Sequence, residues 1–116
     1  MVDAVSQKQA GKALRLLDEQ LTAGENALRL LAMLTRQVRM LWRSKELAEN
    51  GADSRAVAAE FGVPPFVGEK LLRQGRGFAA PTLRRALVAL AEADRDLKSG
   101  RADKYVLERI VIDMCR

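Results

Sequence analysis

The spacing of apolar residues is the feature that most restricts what this chain can fold into. Near the N-terminus, apolar residues recur at intervals of three and four, namely Ala10, Ala13, Leu14, Leu17 and Leu21. That interval places side chains on one face of an α-helix, which is expected to end near Gly24. No segment alternates apolar and polar residues as a half-buried strand requires. The pattern therefore predicts an all-α protein, a single compact bundle of five to six helices over residues 1–116.

A second, longer helix is predicted from about Asn26 to Glu49, where Asn50-Gly51 supplies the stop signal. Its expected core residues are Leu31, Leu34, Val38 and Leu41. Further apolar residues lie off this stripe, and a helix that is apolar around much of its circumference is central to a bundle or contacts a partner. The candidate residues for a subunit interface are Leu30, Met33, Met40 and Trp42. These four residues fit the core equally well, and Trp42 fits it slightly better than the interface.

Residues 53–77 predict two short helices joined by a turn. The first helix is predicted to begin at an N-cap, Asp53 or Ser54, and to end at Gly62. The second helix is predicted to begin at Pro64-Pro65 and to end at Gly75 and Gly77. Such a pair resembles a helix-turn-helix. A small DNA-binding regulator is therefore a candidate function, as the alternative to a domain that binds other subunits. A DNA-reading helix needs polar and basic side chains at its start, but the first basic residue here is Lys70. A helical corner within the bundle is therefore favoured.

Two further helices complete the predicted bundle. One starts after Pro81-Thr82 and stops at Ser99-Gly100, and the last runs from about Asp103 to Cys115. Within the first of these, Asp94 precedes Lys98 by four residues, the usual spacing of an ion pair on a helix surface. Asp94 is therefore interpreted as a surface charge and not as an acid–base catalyst.

The positive charge of the chain is concentrated in its middle. The net charge is +5, and residues 23–85 carry 11 Lys and Arg against 6 Asp and Glu, which accounts for all of it. On the long helix the arginines share one face, and the candidate basic patch is Arg29, Arg36, Arg39 and Arg43, extended by Lys70 and Arg73 if the fold brings them together. A solvated ridge and a surface for acidic proteins or phosphates are equally compatible with this pattern.

The composition excludes several classes of function. The chain has no histidine, which removes the commonest general base and zinc ligand, and it has no phosphate-binding glycine loop. Its single cysteine, Cys115, cannot form an internal disulfide and is typical of a cytoplasmic protein. The longest apolar run has six residues, against about 20 for a membrane-spanning helix. We therefore expect no catalytic residues, no metal, no cofactor and no membrane contact.

Several short strings, in their order and spacing, resemble the C-terminal domain of the bacterial DNA polymerase III delta subunit, part of the clamp loader. The strings are VDAV at 2–5, ALRLL at 13–17, GENALRLL at 24–31, RQVR at 36–39, FGVPPFV at 61–67, KLLRQ at 70–74, LAEAD at 90–94, LKSG at 97–100 and LERIV at 107–111. They cover nearly the whole chain. One departure is Pro65, where many members of the family have histidine; this change leaves the predicted helix start intact.

The resemblance implies a collar domain, which packs beside its counterparts in other clamp-loader subunits. It implies that residues 1–116 are a domain excised from a larger subunit, with Met1 as an added start. The implied partners are the ATPase subunits of the gamma/tau and delta-prime types, and the sliding clamp through the missing N-terminal part. DNA contact would be non-specific, the location cytoplasmic, and the parent subunit would neither hydrolyse ATP nor carry the polymerase activity.

Overall fold

Helices account for most of the described chain. The computed structural model describes residues 1–100 and 104–116, apart from the side chain of residue 104. Within these residues it has no strand and forms the helices α1 (Val2–Ser6), α2 (Ala10–Thr22), α3 (Ala27–Glu49), α4 (Ser54–Phe61), α5 (Pro65–Arg76), α6 (Ala80–Lys98) and α7 (Lys104–Cys115). The predicted all-α class is confirmed, but the count of five to six is wrong, since seven helices are described. The predicted last start, Asp103, lies outside the described residues.

The helix that the sequence did not predict is α1. It has only five residues, too few for an apolar period to emerge. Its end also lacks the usual glycine or asparagine, because the left-handed position is taken by Lys8, with φ 58°. The amide of Gln9 nevertheless donates to the carbonyl of Ala4 at 2.8 Å, which closes the helix. Ala4 and Val5 are buried, so this short helix contributes to the core.

Helix α3 lies at the centre of the fold and contacts α1, α4, α5 and α6. Its start is confirmed at Asn26, whose side chain accepts a hydrogen bond from the amide of Leu28 at 2.8 Å and caps the helix. The predicted core stripe is confirmed, because all of its members are buried: Leu31, Leu34, Val38 and Leu41. Burial of four such side chains contributes several kcal/mol, at about 1.5–3 kcal/mol each.

Two residues read from the sequence as boundary signals lie inside helices. Gly75 belongs to α5 and is buried, and a Cβ on it would lie 3.2 Å from the carbonyl oxygen of Leu41. This glycine therefore permits close approach of α5 to α3, and only Gly77 follows the helix end. Helix α6 begins at Ala80, so Pro81 occupies its first turn, where a missing amide proton costs no hydrogen bond.

Helices α4 and α5 form the predicted corner. Asp53 caps α4 by accepting a hydrogen bond from the amide of Ala56 at 2.9 Å. The chain then turns at Gly62, which adopts a left-handed conformation with φ 64°. The two helices touch at Gly68, where an added Cβ would lie 2.9 Å from the backbone nitrogen of Ala58 and press on the carbonyl oxygen of Ser54. The corner therefore depends on the absence of a side chain at this position.

We expect Gly68→Ala to lower the free energy of unfolding by roughly 1–3 kcal/mol, because the added methyl group meets backbone atoms that cannot move freely. The matched control is Gly11→Ala on α2, where the new Cβ lies 3.7 Å from the Arg15 guanidinium, an ordinary van der Waals contact. There the substitution should stabilise the helix by about 0.5–1 kcal/mol. Urea unfolding followed by circular dichroism measures both. Equal effects of the two substitutions would contradict the close helix crossing.

Two glutamines in the interior differ in their hydrogen bonding. Gln74 on α5 is buried, and neither atom of its side-chain amide has a hydrogen-bond partner among the described residues. The amide of Gln37 donates to the hydroxyl of Ser6 at 3.0 Å, and that hydroxyl donates to the carbonyl of Val2 at 2.9 Å. Gln37 therefore ties α1 to α3, whereas the Gln74 amide opposes folding through its desolvation.

Replacement of each glutamine by methionine, which has a similar volume, should shift stability in opposite directions. Gln74→Met should raise the free energy of unfolding by about 1 kcal/mol, since it removes a buried amide without a partner. Gln37→Met should lower it by about 1 kcal/mol, since one hydrogen bond is lost. Chemical denaturation of both variants tests this. A loss of stability in Gln74→Met would mean that its amide has a partner in the folded protein.

Candidate functional site

The solvent side of α3 carries a row of arginines. Residues seven apart on a helix return to nearly the same direction, so Arg29, Arg36 and Arg43 share one side, with Arg39 close to it. All four are exposed. They lie opposite the buried stripe of α3, and the fold does not cover them. The predicted basic face therefore exists on the long helix.

The arginines of this row differ in whether their charge is already balanced. At the start of the helix, Arg29 pairs with Glu25 at 3.7 Å. Near its end, Nε of Arg43 donates to Glu60 of α4 at 3.0 Å, and its Nη1 lies 4.0 Å from Glu46. Among the described residues, Arg36 and Arg39 take part in no ion pair. The two central guanidinium groups are therefore the available charges of the row.

These two arginines lie in a groove between α3 and α6 with a volume of about 740 Å³. We call it the arginine groove. Its basic lining is Arg36, Arg39, Arg43 and Arg95, and its acidic lining is Asp94. Asp94 is bound by Lys98 at 2.9 Å, the ion pair that the sequence spacing predicts. Apolar side chains form much of the rest, including Met40, Phe61, Leu87 and Ala91.

The proposed extension of the basic patch on α5 does not reach this groove. Nζ of Lys70 lies 2.9 Å from a carboxylate oxygen of Asp3, so this ammonium group is directed to α1. Arg73 is exposed, but neither it nor Lys70 lines the arginine groove. Within the described chain, the fold therefore brings Arg36, Arg39 and Arg43 of α3 together with Arg95 of α6, not with the basic residues of α5.

The four candidate interface residues differ in their burial. Leu30 is only 2% exposed and belongs to the core, so the structure removes it from any surface. Met33 is 44% exposed, which leaves a large apolar side chain in solvent. Met40 and Trp42 are half-buried and pack against the core. The guanidinium of Arg84 lies 5.9 Å above the ring of Trp42, so a cation covers the open side of the indole.

Several groove residues were not candidates for a functional site in the sequence, among them Phe61, Leu87, Ala91 and Arg95. The last three lie four residues apart on α6 and therefore share a side of that helix. This signal was present, but it did not reveal that the side faces the arginines of α3. Phe61 is half-buried at the end of α4. Its place in the groove follows from the packing of α4 against α3, which no local pattern encodes.

The described residues include one thiol and no cluster of metal-ligating side chains. Among the described residues, no group of three or more His, Cys, Asp and Glu could hold a metal ion. Cys115 is a half-buried free thiol at the end of α7. Burial raises its pKa above the ordinary value, and the nearby positive charge of Lys8 opposes that shift. A thiol held in its neutral form is a poor nucleophile.

We therefore expect Cys115 to react with iodoacetamide at pH 8 more slowly than a free cysteine in a short peptide, because less thiolate is present. Lys8→Ala should slow alkylation further, since it removes the charge that lowers the pKa of this thiol. Lys12→Ala, an exposed lysine on α2, is the control and should leave the rate unchanged. Alkylation followed by mass spectrometry over a pH series measures these rates; a faster reaction in Lys8→Ala would contradict this electrostatic assignment.

The fold and the groove define a helical domain of the binding type, with an arginine-lined surface and no metal-binding cluster in its described part. None of the described helices is both long and apolar enough to span a bilayer. The family model for the C-terminal domain of the DNA polymerase III delta subunit matches residues 1–114. The chain belongs to this family, as its sequence strings indicate.

Two comparisons place the chain beside proteins of Bacillus subtilis. It is 25% identical over 107 residues to the DNA polymerase III subunit delta of strain 168, a match that covers 92% of this chain and 31% of that protein. Its fold is similar to the solved DNA clamp loader delta protein, with a TM-score of 0.84 and 23% identity over 98% of this chain and 34% of that one. The chain thus spans about a third of the length of these relatives.

Proposed function

We propose that this chain is the subunit-assembly domain of a DNA polymerase III delta subunit, the collar part of the clamp loader that loads the sliding clamp onto DNA. The family match over residues 1–114 is the observation that carries this proposal. The structure supports it through an extended helical surface with uncovered apolar and basic side chains. In this function the domain acts by binding its neighbours and catalyses no reaction.

The same proposal includes the setting of the domain. Its partners are the ATPase subunits of the gamma/tau and delta-prime types, and the rest of a longer subunit contacts the sliding clamp. Residues 1–116 are then one domain of that subunit. This agrees with the coverage of the relatives, since the chain spans about a third of their length. The location is the bacterial cytoplasm, where clamp loading takes place. No cofactor or metal is required for this role.

We assign the centre of the subunit contact to the exposed side of α3. Met33 projects into solvent there, and Met40 lies seven residues further along the same side, with Arg36 between them. Apolar side chains flanked by arginine are typical of the centre of protein interfaces. A stable contact needs about 800 Å² from each partner, so neighbouring helices must also take part. Trp42 lies nine residues after Met33, on the opposite side of α3, where it packs against the core under Arg84.

The alternative function as a sequence-specific DNA-binding regulator has no support from the comparisons. In the structure, the start of α5 presents Pro65 and Phe66, which is 71% exposed, and no basic side chain. Lys70 follows one turn later and pairs with Asp3. DNA contact, if it accompanies clamp loading, is therefore assigned to non-specific attraction by the net charge of +5.

Co-migration on a sizing column tests the proposal. The complete polypeptide that contains this chain is mixed with purified ATPase-bearing clamp-loader subunits at low and at moderate salt, and a parallel lane contains duplex DNA. We expect a stable complex with the subunits at both salt concentrations and only salt-sensitive, sequence-independent DNA binding. The absence of a complex, together with tight sequence-selective DNA binding, would overturn the proposal.

A substitution on the exposed side of α3 locates the contact. Met33→Glu should weaken subunit binding at least tenfold, because it places a charge in the apolar centre of the interface. The control is Ile112→Glu, which introduces the same charge at a partly exposed apolar residue of α7, 38% accessible. Binding measured by surface plasmon resonance should be unaffected by the control. Equal affinity of the Met33 variant and the unsubstituted protein would move the interface elsewhere.

A further inference from the structure

We propose that the arginine groove is a docking site for a short, acidic, amphipathic helix presented by a neighbouring subunit. This inference rests on the proposed assembly function, and it names the surface and the chemistry of the segment that binds. The observation that carries it is the juxtaposition, in one groove, of two unpaired guanidinium groups with an apolar wall formed by Phe61, Leu87 and Ala91.

The charges of the groove select an acidic occupant. Arg36 and Arg39 are exposed and have no ion-pair partner among the described residues, while Arg29 and Arg43, on either side, are already paired. A guanidinium group presents a planar set of donors that fits a carboxylate with two hydrogen bonds. Two carboxylates from one segment would therefore satisfy the two free arginines at the middle of the groove.

The apolar wall requires that the segment be amphipathic. Leu87 and Ala91 lie one turn apart on α6, and Met40 and Phe61 also line the groove. Apolar side chains of the occupant would be removed from water against these residues, which supplies the non-directional part of the binding free energy. The distance from Arg36 to Arg43 along α3 is about 10 Å at 1.5 Å per residue. Two to three turns of helix match that length and the helix-in-groove mode of recognition.

A phosphate backbone fits the same groove less well. The carboxylate of Asp94 lines it, and Glu60 and Glu46 hold Arg43, so acidic groups interrupt the row of cations. Nucleic-acid surfaces instead gain affinity from many phosphate contacts by adjacent Lys and Arg residues. The large apolar share of the lining adds nothing to phosphate binding. The chemistry of the groove therefore favours a protein segment over DNA or RNA.

The test uses the complete polypeptide that contains this chain and the purified ATPase-bearing clamp-loader subunits as the probe. The double variant Arg36→Glu/Arg39→Glu reverses both free charges, and Arg36→Ala/Arg39→Ala removes them. The control Lys12→Glu/Arg15→Glu makes the same change of net charge on exposed residues of α2. Since none of these side chains is buried, each variant should retain the melting temperature of the unsubstituted protein. Circular dichroism checks this point before binding is measured.

We expect the reversed groove variant to bind the subunits at least tenfold more weakly, the alanine variant to show a smaller loss, and the control to bind normally. Unchanged binding by the groove variants would overturn the docking site while leaving the assembly function in place. Failure of the unsubstituted protein to bind the subunits would instead overturn the assembly function. Loss of binding to a 30-mer duplex or single-stranded DNA, with subunit binding intact, would assign the groove to nucleic acid and overturn this proposal.

A photo-crosslinking residue at Ala91, which is exposed in the groove, identifies the occupant directly. In the assembled complex it should capture a peptide of a neighbouring subunit that carries acidic residues at helical spacing from apolar ones. The same crosslinker at Ala23, after the end of α2, is the control and should not capture that peptide. Capture of a segment from the same polypeptide, or of a peptide without acidic residues, would overturn the proposal.

Discussion

Burial of the apolar stripe of α3 is the interaction on which the rest of this fold depends. Four other helices contact α3, and its residues Leu34, Val38 and Leu41 are almost fully removed from water. The neighbouring helices α5 and α6 are amphipathic, and both pack part of their apolar faces against α3. Close approach is possible because Gly75 brings α5 against the backbone of α3 near Leu41.

The two sides of α3 differ, because one packs in the core and the other faces solvent. The core side of α3 is buried and apolar, whereas the other side carries Met33 and unpaired arginines in solvent. A surface built on a helix that is held from several directions moves little when a partner binds, so less conformational entropy is lost on association. This arrangement presents Met33 and the arginines on a helix that is packed on several sides.

Much of this could be predicted from the sequence, because helical periods and caps are local signals. The bounds of α3, the Asp53 cap and the turn at Gly62 were all expected from their residues. Helix α1 was missed because it is shorter than two turns and ends at a lysine in the left-handed conformation. Leu30 was a candidate for both the interface and the core, because periodicity alone cannot show how many neighbours cover a helix. The α6 wall of the groove was missed for a related reason, since it arises from tertiary packing.

The ion pair between Arg43 and Glu60 connects the arginine groove with the α4–α5 corner. Arg43 lines the groove, while Glu60 belongs to α4, so one hydrogen bond of 3.0 Å joins the binding surface to the helical corner. A carboxylate that enters the groove and competes for this guanidinium weakens the hold on α4. The groove and the corner therefore share the Arg43 side chain, and a substitution at Arg43 or Glu60 changes the surroundings of both.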